Sequence, residues 1–301
     1  MGIVDNLISD TTEENGIPSK SELAKLSKEE LINKCIEISR YKNLQEDLLL
    51  NISHDLRSPL SVILSVLQCY ESGYVDENNK IKMKQYMKNI KRNSYKMLKL
   101  INNLIDTTRL EKDYYKIERK NLDIVKLIEN TIASIDRYAK QKNISLVFDT
   151  NVEQCIMAVD AQALDRIIMN LISNAIKFSF ENSSIYINLL KCCNELVISV
   201  KDEGIGIPEK DQNKIFNRFI QSTSKKQYEH CGSGIGLSLV ENLTKAHGGN
   251  IELNSIENQG SEFIIKLPII KVSENIVDKN IGNCSKNNVQ MLEVEFSDIY
   301  L

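Results

Sequence analysis

A chain of 301 residues has room for one large domain or two ordinary ones, and 42% apolar residues suffice to fill a core. The 26% of charged residues balance to a net charge of −3, which argues against a nucleic-acid-binding surface or a polybasic membrane surface. Seven cysteines, an odd number without C-x-x-C spacing, read as reduced thiols in a cytosolic setting.

Residues 1–20 are polar and acidic and predict frayed chain. From Ser21 a helical pattern runs to about Tyr70. Leu49, Leu56, Ile63 and Tyr70 recur every seven positions, with Ile52, Leu60 and Leu67 at the alternate steps, a narrow seam of the bundle kind. His54, one of only three histidines, lies about 160° from Leu56 at ~100° per residue and so points away from the seam. Ser58 shares that outward face, Asp55 and Arg57 flank it, and Pro59 removes a backbone donor and predicts a kink just beyond it. Taken alone, an outward histidine is more often part of a solvated face than a reactive group.

The stretch "ESGYVDENNK" reads as a turn. A second helix follows, with Met83, Met87, Ile90, Ser94, Met97, Ile101 and Leu104 in steps of four and three. Two helices with one narrow seam each form a hairpin that buries little alone. Two copies pairing into a four-helix bundle solve this, which predicts a homodimer.

Beyond "RLEKDYY" the period changes. Strand-like runs appear at "ISLVFD", "CIMAVD", "SIYINLL", "ELVISV", "NIELNS" and "SEFIIKLP", with helical stretches at 123–141, 161–178 and 234–247. Mixed strands and helices around one sheet predict a layered α+β domain of about 150 residues. The tail, 271–301, opens as an Asn/Lys-rich linker. Near its end Leu292, Val294 and Phe296 alternate with Glu293 and Glu295, which predicts a half-buried edge strand, with a docking segment as the alternative.

Three stretches of the second half carry chemistry. On the helix "LDRIIMNLISNAIKFS", Arg166, Asn170, Asn174 and Lys177 form a polar stripe opposite Leu164, Ile168, Leu171 and Ala175. Asparagines one turn apart weaken an exposed helix; amide oxygens on a rigid helix suit a hydrated Mg²⁺, and Lys177 suits phosphate. "KDEGIGIP" follows the strand "ELVISV": Gly204 and Gly206 allow backbone to approach a flat ligand, and Asp202 offers an acceptor at the strand end. In "GSGIGLSLV", Gly232, Gly234 and Gly236 open a helix whose first amides can bind phosphate. A dinucleotide fold does not fit, since the third glycine is misplaced and no βαβ unit surrounds the run. A P-loop fails for want of Gly-Lys-Ser/Thr.

The ordered set of histidine hairpin, "NLISNAIKF", "DEGIGIP", "IFNRF" and "GSGIGLSLV" resembles the H, N, G1, F and G2 boxes of the sensor histidine kinases of two-component systems. The resemblance covers about residues 45–268. It implies an N-terminal segment with an entry helix (1–44), a dimerisation and phosphotransfer hairpin (45–112), an ATP-binding α/β sandwich of the Bergerat type (113–270) and a tail (271–301). It also implies that His54 is phosphorylated from ATP and passes the group to an aspartate on a response-regulator receiver domain.

By the same resemblance Asp55 orients the imidazole and takes its proton, and Ser58 stands where the family usually has Thr or Asn for dephosphorylating the partner. Asn174 matches the Mg²⁺ ligand, with Asn170 and Lys177 its phosphate-side companions and Phe178 a nucleotide contact. Asp202 matches the carboxylate that reads the adenine amino group, over a floor of Gly204 and Gly206. Phe216 and Phe219 match the F-box aromatics, Gly232, Gly234 and Gly236 the hinge of a lid formed by "IQSTSKKQYEHC", and Leu237 a nucleotide-binding position. Lys225 or Lys226 stands in for an arginine that many relatives carry near Gln221. ATP-hydrolysing relatives of the DNA gyrase kind place a general-base Glu where this chain has Asn170, which disfavours hydrolysis; a nucleotide-binding scaffold is the other alternative. No stretch approaches 18 consecutive apolar residues and no basic leader precedes an apolar run. The expectation is therefore a cytoplasmic protein, or the cytoplasmic part of a longer sensor, without a membrane segment.

Overall fold

A computed structural model describes residues 27–72, 80–111, 114–218, 220, 234–273 and 285–299. The chain divides into two compact units, Met1–His54 and Asp55–Leu301. Helix α1, Lys28–Glu71, starts in the first unit. Its start is fixed by a reciprocal pair: the Glu30 amide donates to Ser27 Oγ at 3.3 Å, and the Ser27 amide donates to Glu30 Oε2 at 2.7 Å. That capping box satisfies two backbone donors that helix geometry leaves over. The part of the helical pattern expected from Ser21 to Leu26 lies outside the described residues.

In the second unit α1 runs unbroken across a buried Pro59 to Glu71, and α2 spans Lys80–Glu111. Most of the connecting turn, 73–79, lies outside the described residues. The seam remains largely open: Leu60, Leu67 and Tyr70 are exposed, as are Met87 and Ile101 on α2.

The layered domain follows. In chain order it comprises β1 (Lys120–Asp123), α3 (Ile124–Ala139), β2 (Ser145–Thr150), β3 (Ile156–Val159), α4 (Ala161–Phe178), β4 (Ser184–Cys192), β5 (Glu195–Asp202), the short α5 (Glu209–Gln212), α6 (Gly236–Ala246), β6 (Asn250–Ile256) and β7 (Gly260–Pro268). The main sheet has the order β2-β4-β5-β7-β6, with β2 and β4 parallel and the other neighbours antiparallel; β1 and β3 form a separate antiparallel pair. Strand alternation sends Ile185, Ile187 and Leu189, Leu196, Ile198 and Val200, and Phe263, Ile265 and Leu267 to one buried face. Helices α3, α4 and α6 contribute their apolar stripes to the same core. The fold is thus a helical hairpin region followed by an α/β sandwich of the Bergerat type.

Two local devices set α4, the helix that carries most of the polar stripe. Asp160 caps its start, accepting from the amides of Gln162 and Ala163 at 3.0 and 3.1 Å. Lys142 closes its end, donating to the carbonyls of Ile176 and Lys177 at 3.1 and 3.0 Å, where the helix carries its partial negative charge.

The tail departs from the expected edge strand. Residues Ser285–Glu295 form helix α7, continued by a turn to Ile299. Leu292, Phe296 and Ile299 fall at helical spacing and enter the core, where Phe296 stacks on Tyr138 with centroids 4.6 Å apart. The 292–296 alternation fits a strand in so short a window, but packing on α2 and α3 selects the helix.

Candidate functional site

A cleft of about 1010 Å³, counting space open to solvent, lies in the second unit. Its walls differ in chemistry. Ile205, Ile207, Ile215, Ile220 and Phe263 supply an apolar side from the sheet and the loop after β5, while Asn170, Ser173, Asn174 and Lys177 project from α4. Gly234, Gly236 and Leu237, at the start of α6, complete it. A flat apolar face beside a polar face and an open helix start suits an aromatic base joined to phosphates.

Asp202 is the one carboxylate on the sheet side. It is 5% exposed, and its Oδ1 accepts from the amides of Gly204 at 3.0 Å and Ser261 at 3.3 Å. Burial pushes its carboxyl pKa up to about 6, although those two amide donors work in the opposite direction. Gly204 cannot carry a side chain, because a Cβ would stand 2.2 Å from the Phe178 carbonyl oxygen. Gly206 adopts a φ of +61°, and its Cβ would meet the Ile256 carbonyl at 2.0 Å, so the loop is drawn tightly to the sheet.

Asn170 corrects the sequence reading of an exposed polar stripe. It is 3% exposed, its Nδ2 donates to the Arg166 carbonyl at 3.0 Å, and its Oδ1 lies 2.7 Å from where a Cβ on Gly236 would stand. The glycine therefore lets α6 begin directly against the α4 amide. Among the described residues no side chain caps that helix start, and Gly234 takes a φ of +70° just before it. Asn174, Lys177 and Phe178 are half-buried at the cleft, with the Lys177 ammonium 5.5 Å from the Phe178 ring centroid. Phe216 meets Phe263 edge-on with centroids 6.4 Å apart, behind the cleft wall. Gly232, Phe219 and the lid segment with Lys225 and Lys226 lie outside the described residues.

The sequence reading missed, among other wall residues, a charged and polar set from outside the ATP-binding motifs. Lys99 and Asn103 of α2 line the cleft, as does Asp298 of the tail. Arg166 of α4 pairs with Asp106 and donates to Asn103 Oδ1 at 3.3 Å, which ties α4 to α2. Lys99, Asn103 and Asp106 stand four and three residues apart, a polar helical face that spacing alone could have flagged.

In the first unit His54 is exposed on α1; in the second, Asp55 is half-buried and Ser58 exposed. His247 is structural: its Nδ1 donates to the Leu243 carbonyl at 2.8 Å and its Nε2 accepts from the Asp160 amide at 3.2 Å. Burial holds it below the usual histidine range, which keeps Nε2 an acceptor. His230 lies outside the described residues.

Residues 44–113 match the His Kinase A (phospho-acceptor) domain, and residues 159–271 match the histidine kinase-, DNA gyrase B-, and HSP90-like ATPase domain. The chain belongs to the sensor histidine kinases of two-component systems. It is 33% identical over 223 residues to histidine kinase P4 of Formosa agariphila, covering 73% of this chain and 16% of that protein. It is 30% identical over 233 residues to the sensor histidine kinase WalK of Bacillus subtilis, covering 76% of this chain and 37% of that protein. The chain thus spans well under half the length of these relatives. In structure it is similar to histidine kinase ThkA in its complex with the response regulator protein TrrA, with a TM-score of 0.57 at 22% identity, covering 81% of this chain and 68% of that one. Among the described residues no helix is long and apolar enough to cross a membrane.

Proposed function

We propose that this chain is an ATP-dependent histidine autokinase that hands its phosphoryl group to an aspartate of a response-regulator receiver domain. The observation that carries the reading is the cleft, where the buried Asp202 and an apolar wall share one cavity with Asn170, Asn174, Lys177 and the start of α6. Asp202 accepts from the adenine amino group, and its Oδ1 is held in place by two backbone amides. The α6 amides and Lys177 hold the phosphates by charge and hydrogen bonding.

No cluster of three or more His, Cys, Asp or Glu suited to a metal occurs among the described residues. The donors that α4 brings to the cleft, Asn170 and Asn174, are neutral amides, which fit an Mg²⁺ that arrives on the nucleotide and keeps most of its water. Asn174, with Asn170 beside it, would hold that ion, which supplies charge neutralisation on the phosphate oxygens.

His54 then acts as nucleophile. A neutral ring nitrogen forms the N–P bond as the bond from the γ-phosphorus to the ADP oxygen breaks, and Asp55 orients the ring and takes its proton. In the second transfer a receiver carboxylate oxygen forms a bond to phosphorus as the N–P bond breaks. Exposure of His54 and Ser58 supports access by both reactants, and the complex of ThkA with the response regulator protein TrrA supports a response regulator as the acceptor. The open seam on α1 and α2 supports a homodimer built on residues 45–112, with 113–270 as the catalytic domain.

Incubation with Mg²⁺ and γ-labelled ATP tests this. Acid-labile, alkali-stable label that disappears in both His54→Gln and Asn174→Ala is expected. Nucleotide binding without label under any condition would leave a regulatory scaffold as the better reading.

A further inference from the structure

The C-terminal segment brings acid to the nucleotide cleft. Its helix α7 lies along α2 through a ladder of charged contacts. Lys91 pairs with Glu293 at 2.9 Å and Tyr95 donates to Glu293 at 2.9 Å. One turn on, the Lys99 ammonium donates to the Glu295 carbonyl at 2.6 Å and pairs with the Glu295 carboxylate at 3.0 Å and Asp298 at 3.5 Å. Phe296, fully buried on Tyr138, anchors the turn that carries Asp298 into the cleft wall.

Asp298 is there in cationic company. Burial pushes its carboxyl up, but Lys99, Lys177 and Lys96 outweigh this and hold it below the usual carboxylate range. Lys99 shows the reverse balance: burial works against its charge, and Glu295 and Asp298 hold it above the usual lysine range. Two of those cations, Lys99 and Lys177, line the cleft. An anion thus already lines the same cleft as Lys177, the cation proposed to hold phosphate.

We propose that residues 285–299 are a built-in competitor of the nucleotide, with the Asp298 carboxylate standing in for a phosphate beside Lys99 and Lys177. The inference rests on the nucleotide reading of the cleft. Three independent features support it: a side chain in the cleft wall, a hydrophobic anchor that places it, and an ion-pair ladder that specifies α2 as the dock. Release of the segment frees Lys99 for a nucleotide phosphate; rebinding restrains α2 and α4 together. The segment then sets the affinity for ATP, and anything that captures it raises that affinity.

The test is ATP titration of the full chain by calorimetry, comparing the parent protein with Asp298→Asn, Glu252→Gln and Asp202→Asn. Glu252 pairs with Lys266 on the sheet, away from the cleft, and controls for simple loss of one negative charge. Asp298→Asn keeps Glu295 against Lys99 and leaves the Phe296 anchor in place, so the fold survives. The expected result is about three- to tenfold tighter ATP binding in Asp298→Asn and no change in Glu252→Gln. Equal or weaker ATP affinity in Asp298→Asn, with Asp202→Asn still impaired, overturns the competitor while leaving the nucleotide site standing. No binding by any form overturns both.

Discussion

The hairpin region and the layered domain answer the same problem, burial of apolar surface, in opposite ways. In the layered domain the sheet face of Ile187, Ile198 and Ile265 is covered from within the chain, each residue being fully buried. On α1, Leu60, Leu67 and Tyr70 keep more than two fifths of their surface in water, at 43%, 41% and 46%. A chain that closes one core and leaves Leu60, Leu67 and Tyr70 in water has one part complete in itself and another that the proposed homodimer would finish. The difference also separates the chemistry: the buried domain can desolvate a nucleotide, whereas the open helix can present a histidine to successive partners.

That contrast can be broken at several points. The largest effect is chemical: His54→Gln should abolish acid-labile phosphorylation yet leave ATP affinity unchanged, whereas Asn174→Ala should lower both. Loss of ATP binding in His54→Gln would mean the two regions are not chemically separable. Next come the cores. Ile198→Ala should cost about 2–5 kcal/mol in urea unfolding at any protein concentration. Leu67→Ala should instead lower the midpoint only as the protein is diluted, as the proposed homodimer requires of an exposed seam residue. A dilution-independent loss at Leu67 would show that the seam is closed within one chain.

A smaller effect concerns pH. Asp202 is held up at about 6 by burial, so ATP affinity should fall as pH drops through 6, when its carboxylate gains a proton and ceases to accept from adenine. Asp202→Asn should bind weakly with no such dependence. For stability the sign is the reverse. Asp165 and Asp202 both sit at about 6, above their unfolded range, so their contribution is fully present below about pH 4 and is lost as pH rises through 6. The double Asn variant should flatten that slope in thermal melts. Smallest is Lys142→Ala, which uncaps the α4 end and should cost roughly 0.5–1.5 kcal/mol.

Much of this was legible from residue order. Strands β2 to β7 and helices α3, α4 and α6 follow from period and glycine punctuation, and the residues around Asn174, Asp202 and Gly236 came from ordered motifs. Strand β1 was not read, because four residues ending in "NLD" offer no alternation to count. Helical spacing put Asn170 on the polar face of α4 but could not name its neighbour; α6 approaches that face closely because Gly236 carries no Cβ.

The sequence alone determined the local chemistry: which helices and strands form, which histidine faces water, which glycines must tighten a loop. These depend on dihedral preference and on spacings of a few residues, and both are written in neighbouring positions. Tertiary structure alone decided which distant groups share a cavity. Lys99 and Asp298 lie 199 residues apart in sequence and 3.5 Å apart in space. The tail is a helix rather than a strand because Phe296 finds Tyr138 and Glu293 finds Lys91. A five-residue window carries no preference strong enough to outweigh those contacts, so the choice waits until the core has formed.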